Sequence, residues 1–196
     1  MRHNPIKLTG DWNEGYALDY NAKKITYTGT NIFGYPKLIY DYTEIGKLLY
    51  EMKEFDDDDK CVRLAEIMAD FIKNHWGIRD RIDGIIVAPT STDMPNSPLY
   101  KLAKRIGSLV DRPVSLHFFA KLSVREIKAL DTEEKMDIFK NNMKKMKKLQ
   151  TRGNILILDD FYNTGTTMRS IAGLMREDIN LDALYVLTAV LNKKID

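Results

Sequence analysis

Two successive carboxylates, Asp159 and Asp160, are followed after Phe161-Tyr162-Asn163 by small hydroxylic residues and a glycine, Thr164-Gly165-Thr166-Thr167. Ionised carboxylates only accept hydrogen bonds, so an adjacent pair suits the two O–H donors of a vicinal diol. A Thr/Gly turn that opens a helix presents unpaired backbone N–H groups to an anion. Together they suit a phosphorylated sugar. The flanking residues supply the elements needed to hold these groups. Ile155-Leu156-Ile157-Leu158 reads as a strand buried on both faces and opening at its carboxyl end. Met168, Ile171, Ala172 and Met175 fall at i, i+3, i+4 and i+7, one face of a helix.

The remaining composition narrows the class. With 196 residues, 44% apolar and 30% charged, the chain is expected to form one globular domain with a substantial core. No run approaches the roughly 18 apolar residues of a membrane span, and Met-Arg-His-Asn-Pro at the start lacks the apolar stretch of a signal peptide. Cys61 is the single cysteine, which excludes an intrachain disulfide and points to a reducing, cytoplasmic location. The net charge of +2 is uninformative. Between Lys121 and Arg152, however, ten Lys/Arg face five Asp/Glu, a local +5. A lysine-rich wet face accounts for this more simply than nucleic acid does. His3, His75 and His117 show no ligand spacing.

Taken in order, residues 1–40 alternate polar and apolar at Tyr16-Ala17-Leu18-Asp19-Tyr20 and Lys24-Ile25-Thr26-Tyr27-Thr28. This predicts an antiparallel hairpin turning near Asn21-Ala22, then a loop through Gly34-Tyr35-Pro36. Thr43 is an N-cap for a helix carrying Ile45, Leu48, Leu49 and Met52. The acidic run Glu54–Asp59 reads as a solvated loop that starts the next helix, on Leu64, Ile67, Met68 and Phe71. A strand at Asp83–Pro89 leads into the loop Thr90–Asn96, and Ser97-Pro98 sets a helix on Leu99, Leu102, Ala103 and Ile106. Val114–Phe119 is a strand and 120–130 a loop. Asp131-Thr132-Glu133-Glu134 opens a helix with Met136, Phe139, Met143 and Met146 inside, and Ala183–Leu191 is a last buried strand. Strands separated by helices predict an α/β fold, a Rossmann-like parallel sheet with helices on both faces plus the N-terminal antiparallel hairpin. Ligands of such sheets bind outside the carboxyl ends of the strands, here at 89–96 and 159–167.

The stretch Leu156-Ile157-Leu158-Asp159-Asp160-Phe161-Tyr162-Asn163-Thr164-Gly165-Thr166-Thr167 resembles the phosphoribosyl-pyrophosphate (PRPP) signature of type I phosphoribosyltransferases. Within that superfamily it is most similar to the ComF-like, competence-protein group. Leu49–Lys53, Ile86-Val87-Ala88-Pro89 and the Lys/Arg-rich segment before the signature occur in that group's order. The likeness runs from about residue 43 to 191. It implies a type I phosphoribosyltransferase domain over 1–196, with 1–40 as a hood-like region and 41–196 as the α/β core.

By the resemblance, Asn163, Thr164, Gly165, Thr166 and Thr167 wrap the 5-phosphate, and Asp159 and Asp160 are catalytic, set against the ribose hydroxyls. Pro89, Thr90 and Ser91 face pyrophosphate, and Lys121, Arg125 and Lys128 match a loop that closes over such sites. Mg²⁺ is the implied cofactor, near Asp159 and Asp160 and held mainly through water and PRPP oxygens. The expected activity is transfer of 5-phosphoribosyl to a nucleobase or amine with release of pyrophosphate. The alternative is a non-catalytic module that senses PRPP or a nucleotide and acts through a partner, linked to DNA uptake. Such enzymes often dimerise, which leaves a homodimer open. The chain departs from its relatives in lacking an N-terminal cysteine cluster and in carrying Met94-Pro95-Asn96-Ser97-Pro98 where they have Arg-Gly-Phe-Asn.

Overall fold

The computed structural model describes residues 4–90, 97–122 and 143–193. Ten strands are assigned among them: β1 Ile6–Lys7, β2 Glu14–Tyr20, β3 Ala22–Thr30, β4 Pro36–Tyr42, β5 Gly84–Val87, β6 Val114–Ser115, β7 Phe119–Lys121, β8 Met143–Lys145, β9 Gly153–Tyr162 and β10 Leu181–Leu191. The helices are α1 Glu44–Glu54, α2 Asp58–Asp70, α3 Pro98–Val110 and α4 Thr166–Arg176, and a π-helical turn at Phe71–His75 extends α2.

A six-stranded sheet runs in the order β1-β2-β10-β9-β5-β6. Every neighbouring pair is parallel except β1 with β2. The expected mixed α/β architecture is therefore present, with a mostly parallel sheet and helices on both faces. Successive side chains of a strand point to opposite faces, and β9 shows the two cores that result. Leu156 and Leu158 join the layer built with α1, α2 and α3, whereas Ile155 and Ile157 join the layer of α4. The apolar face of α4 is fully committed: Met168, Ile171, Ala172 and Met175 are at most 2% exposed. Burial of this kind stabilises by about 1.5–3 kcal/mol per large side chain.

Two crossovers leave the middle of the sheet in opposite directions. From β5 the chain crosses by α3 to β6, and from β9 by α4 to β10. The order reverses between β5 and β9, and their carboxyl ends flank the crevice where ligands of such sheets bind.

Local signals behave as read at several points. Thr43 Oγ1 accepts from Gly46 N at 3.0 Å and donates to Tyr20 O at 2.6 Å, fastening the start of α1 to the end of β2. Gly46 is required there, because a Cβ would drive into the backbone carbonyl of Asn21. Asp57 caps α2 by accepting from Lys60 N, so the acidic run initiates a helix as expected. Ser97 occupies the N-cap of α3 with Pro98 beside it, but its side chain makes no capping hydrogen bond.

Other expectations are corrected. The hairpin is present, but it is formed by β3 and β4 and turns at 31–35, through the segment expected to be a plain loop. Tyr16–Tyr20 is instead part of β2, paired in parallel with β10. Asn21 and Ala22 are a junction between two sheets. The Val114–Phe119 strand is interrupted, β6 ending at Ser115 and β7 starting at Phe119. The helix expected to run through Met143 and Met146 does not include them: Met143–Lys145 pairs antiparallel with Phe119–Lys121. Met143 is buried against Phe118 and Phe119 as an apolar strand residue, while Met146 is 57% exposed. Met136 and Phe139 lie outside the described residues.

Candidate functional site

The site begins where pairing between β5 and β9 stops. Val87 is the last register partner on β5, opposite Leu158, and Ala88 N still donates to Leu158 O at 2.9 Å. Pro89 has no N–H to continue the ladder, so the strands part at Asp159. On the other side β9 remains paired, with Thr188 of β10 opposite Asp159. Thr188 is fully buried.

Asp159 and Asp160 sit at this opening. The backbone N–H of Asp160 donates to Asp159 Oδ1 at 2.9 Å. Asp160 is 8% exposed, and its Oδ2 accepts from Lys53 Nζ at 3.0 Å, from the last turn of α1. Burial pushes the Asp159 carboxyl up to about 7. The neighbouring Asp160 charge adds to the rise, while the Asp160 N–H, Lys53 and Lys121 oppose it. An acid poised near neutrality is one that a ligand's charge or proton can readily switch.

Beyond β9 the chain turns sharply into α4. Gly165 occupies the N-cap with φ 77°, a left-handed conformation that glycine adopts without the Cβ penalty of other residues. The Tyr162 hydroxyl fills the space where a Cβ would stand, and Arg169 Nη1 is 3.0 Å from that position. Thr164 and Thr166 share a hydroxyl–hydroxyl hydrogen bond of 2.9 Å, and Arg169 Nη2 donates to Thr164 O at 2.7 Å. Asn163 Oδ1 accepts from Asn192 Nδ2 at 2.8 Å, and Asn192 N donates to Tyr162 O at 2.8 Å, tying the loop to the end of β10. Asn163, Thr164 and Thr166 are exposed, Thr167 is half-buried and Gly165 is buried. The helix start thus presents hydroxyls and backbone N–H groups outward, with an arginine beside them.

The structure brings Asp159, Asp160, Asn163, Thr164, Gly165, Thr166 and Thr167 into one turn of chain. Buried Pro89 and half-buried Thr90 lie at the end of β5. Lys121, exposed at the end of β7, acts electrostatically on Asp159. Ser91, Arg125 and Lys128 lie outside the described residues. His117 packs edge-on against Tyr100, ring centroids 5.3 Å apart, in keeping with a packed residue.

Three residues of this neighbourhood, Arg169, Tyr162 and Lys53, are given no role at the site by the sequence reading. Arg169 carried a usable signal: a cation in the first turn of a helix opposes the macrodipole unless something negative comes near. Tyr162 had no signal beyond its position before the loop. Lys53 had none, since its partner is 107 residues away.

Among the described residues, no cluster of three or more His, Cys, Asp or Glu could hold a metal by itself, and no helix is long and apolar enough to cross a membrane. The two carboxylates still fit Mg²⁺, which takes one or two carboxylates from a protein when phosphate oxygens and water complete its shell.

No family model matches the chain, and no curated protein does. Several solved structures are similar to it at low identity. Leishmania donovani UMP synthase is 12% identical with a TM-score of 0.41, over 83% of this chain and 28% of that one. A hypoxanthine phosphoribosyltransferase from Staphylococcus aureus is 17% identical with a TM-score of 0.41, over 70% and 69%. The hypoxanthine phosphoribosyl transferase of Trypanosoma cruzi is 16% identical with a TM-score of 0.35, over 85% and 69%. The chain spans less than a third of the length of the UMP synthase it matches.

Proposed function

We propose that this protein binds PRPP at the carboxyl ends of β5 and β9 and transfers its 5-phosphoribosyl group to a nitrogen nucleophile, a nucleobase or an amine, releasing pyrophosphate. The observation that carries the reading is the turn from Asp159 to Thr167. An acidic pair at an unpaired strand end leads, through a left-handed Gly165, into a helix start lined with hydroxyls.

Each residue's part follows from its chemistry. The N–H groups and hydroxyls of 163–167 take the 5-phosphate at the positive end of α4, with Arg169 as an adjacent cation. Asp159 and Asp160 accept from the ribose hydroxyls. Their negative charge lowers the energy of the ribose as positive charge grows on it during departure of pyrophosphate. Pro89 and Thr90 stand beside the acids, on the side where pyrophosphate would lie, and Lys121 adds positive charge there. Asp159 and Asp160 would hold Mg²⁺, which supplies neutralisation of the pyrophosphate charge. The whole of 1–196 would serve as one such domain, with 1–40 as its hood-like region.

The test is PRPP-dependent release of pyrophosphate in a screen of nucleobases and simple amines, with calorimetry of Mg-PRPP alongside. Binding with turnover supports the transferase. Binding without pyrophosphate from any acceptor would leave a sensing module, and no binding would refute the reading.

A further inference from the structure

The ion pair between Lys53 and Asp160 links the site to an element that the phosphate- and ribose-binding roles leave out. Asp160 is almost wholly enclosed, and its Oδ2 meets the Lys53 ammonium at 3.0 Å. Lys53 itself is half-exposed, so one partner is fixed by its surroundings and the other is brought to it. α1 is seated in the core by Ile45, Leu49 and Met52, and two contacts fix its ends. At its start, Thr43 bonds to Tyr20 O. Near its end, Tyr50 stacks on Tyr42 of the hairpin with ring centroids 5.1 Å apart and planes inclined by 22°. Tyr50 and Lys53 are i and i+3, neighbours on one side of the helix. The ammonium also lies in the last turn, where the helix dipole favours a cation. The placement of Lys53 is therefore set by α1 as a rigid body.

We propose that Lys53 is a positioning residue of this site. It engages one oxygen of Asp160, fixes the rotation of the carboxylate, and leaves the other oxygen and Asp159 to face the ligand. The inference rests on the PRPP reading for the identity of that ligand, but not for the ion pair itself. A carboxylate already oriented before the ligand arrives loses less freedom on binding, and that preorganisation appears as affinity. Lys53 touches no reacting atom. Its effect passes through Asp160.

The experiment combines Mg-PRPP calorimetry with a double-mutant cycle in urea unfolding on the full chain. The variants are Lys53→Met, Asp160→Asn and the double, with Lys53→Arg as rescue and Lys47→Met as a control on the same helix. Losing one charge-assisted hydrogen bond corresponds to about a tenfold change in a binding constant. Lys53→Met is thus expected to weaken Mg-PRPP binding about tenfold, Lys53→Arg to recover most of it, and Lys47→Met to change nothing. The unfolding cycle should be non-additive. Unchanged affinity in Lys53→Met, or an additive cycle, would overturn the proposal. If the wild type binds no Mg-PRPP, the transferase reading falls separately. The cycle then decides alone whether Lys53 orders Asp160: non-additivity keeps the assignment and additivity removes it.

Discussion

The Tyr162 hydroxyl occupies the place where a side chain at position 165 would begin, so the last residue of β9 and the cap of α4 are locked together by the absence of a Cβ. Tyr162 closes the back of the loop, Gly165 yields the space, and Arg169 holds the Thr164 carbonyl from the other side. Gly165→Ala must displace the tyrosine and also bear a φ of 77°. The expected outcome is a stability loss of about 1–3 kcal/mol by urea unfolding together with loss of Mg-PRPP binding. A variant that binds as the wild type does would show that the loop shape is not what holds the phosphate.

Replacing both acids by amides tests the chemistry with little change of shape. Asp159→Asn combined with Asp160→Asn should abolish PRPP-dependent pyrophosphate release, to below about a hundredth of the wild-type rate, with no fall in melting temperature. Retained turnover in a folded double variant would remove the two carboxylates from the mechanism.

The raised Asp159 carboxyl gives a stability prediction whose sign can be worked out. Unfolded, the group titrates near 3.8, and folded near 7. Between these values the native state binds more protons than the unfolded state, so its contribution to stability falls as pH rises from about 4 to about 7. Asp159→Asn removes that loss. The variant should match the wild type near pH 4 and exceed it at pH 8 by at least about 1 kcal/mol. Urea unfolding at the two pH values measures this, and equal gains at both would contradict it.

The same group makes ligand binding pH-dependent in the opposite sense. A protonated Asp159 accepts fewer hydrogen bonds, so Mg-PRPP affinity should rise severalfold between pH 6 and 8. That rise should shrink in Asp159→Asn, which also separates the titration of the protein from that of the phosphate. Calorimetry of both proteins at both pH values gives the comparison.

Thr43 tests the attachment of α1. Its hydroxyl both caps the helix and donates to Tyr20 O. Thr43→Ala should cost about 1–2 kcal/mol, whereas Thr43→Ser keeps both bonds and most of the stability. Equal losses would mean that the methyl group, and not the hydroxyl, is what matters.

The alternation of apolar strands with amphipathic helices was enough to read the central sheet, because Ile155–Leu158 and Ala183–Leu191 carry their burial in their own composition. The partner of β2 was not legible. Register between strands so far apart is decided by which edge is free, and no local pattern encodes that. A hint did exist, since Ala17 and Leu18 are adjacent apolar residues, as in a strand covered on both faces, and both prove to be fully buried. The methionine spacing misled at Met143 and Met146 for a different reason. At Met143 the pull of Phe118 and Phe119, with Lys145 Nζ reaching Leu174 O at 3.1 Å, outweighs helical periodicity. At the candidate site, the strand end, the glycine turn and the helix start follow one another in sequence, so the shape of the turn could be anticipated locally. The contact of Lys53 with Asp160 spans 107 residues, and no local pattern encodes it.

The place of β2 beside β10 bears on how the chain is made. Asn13 and Leu184 are joined by hydrogen bonds across 171 residues, so this edge of the sheet can be completed only after nearly everything between has been synthesised. Pairings over such separations are slow to find. Until Leu181–Leu191 emerges from the ribosome, Glu14–Tyr20 has no parallel neighbour and β9 lies open along one side. This edge should therefore fold only once Leu181–Leu191 has emerged, and chains stalled before residue 181 should be the ones that chaperones hold.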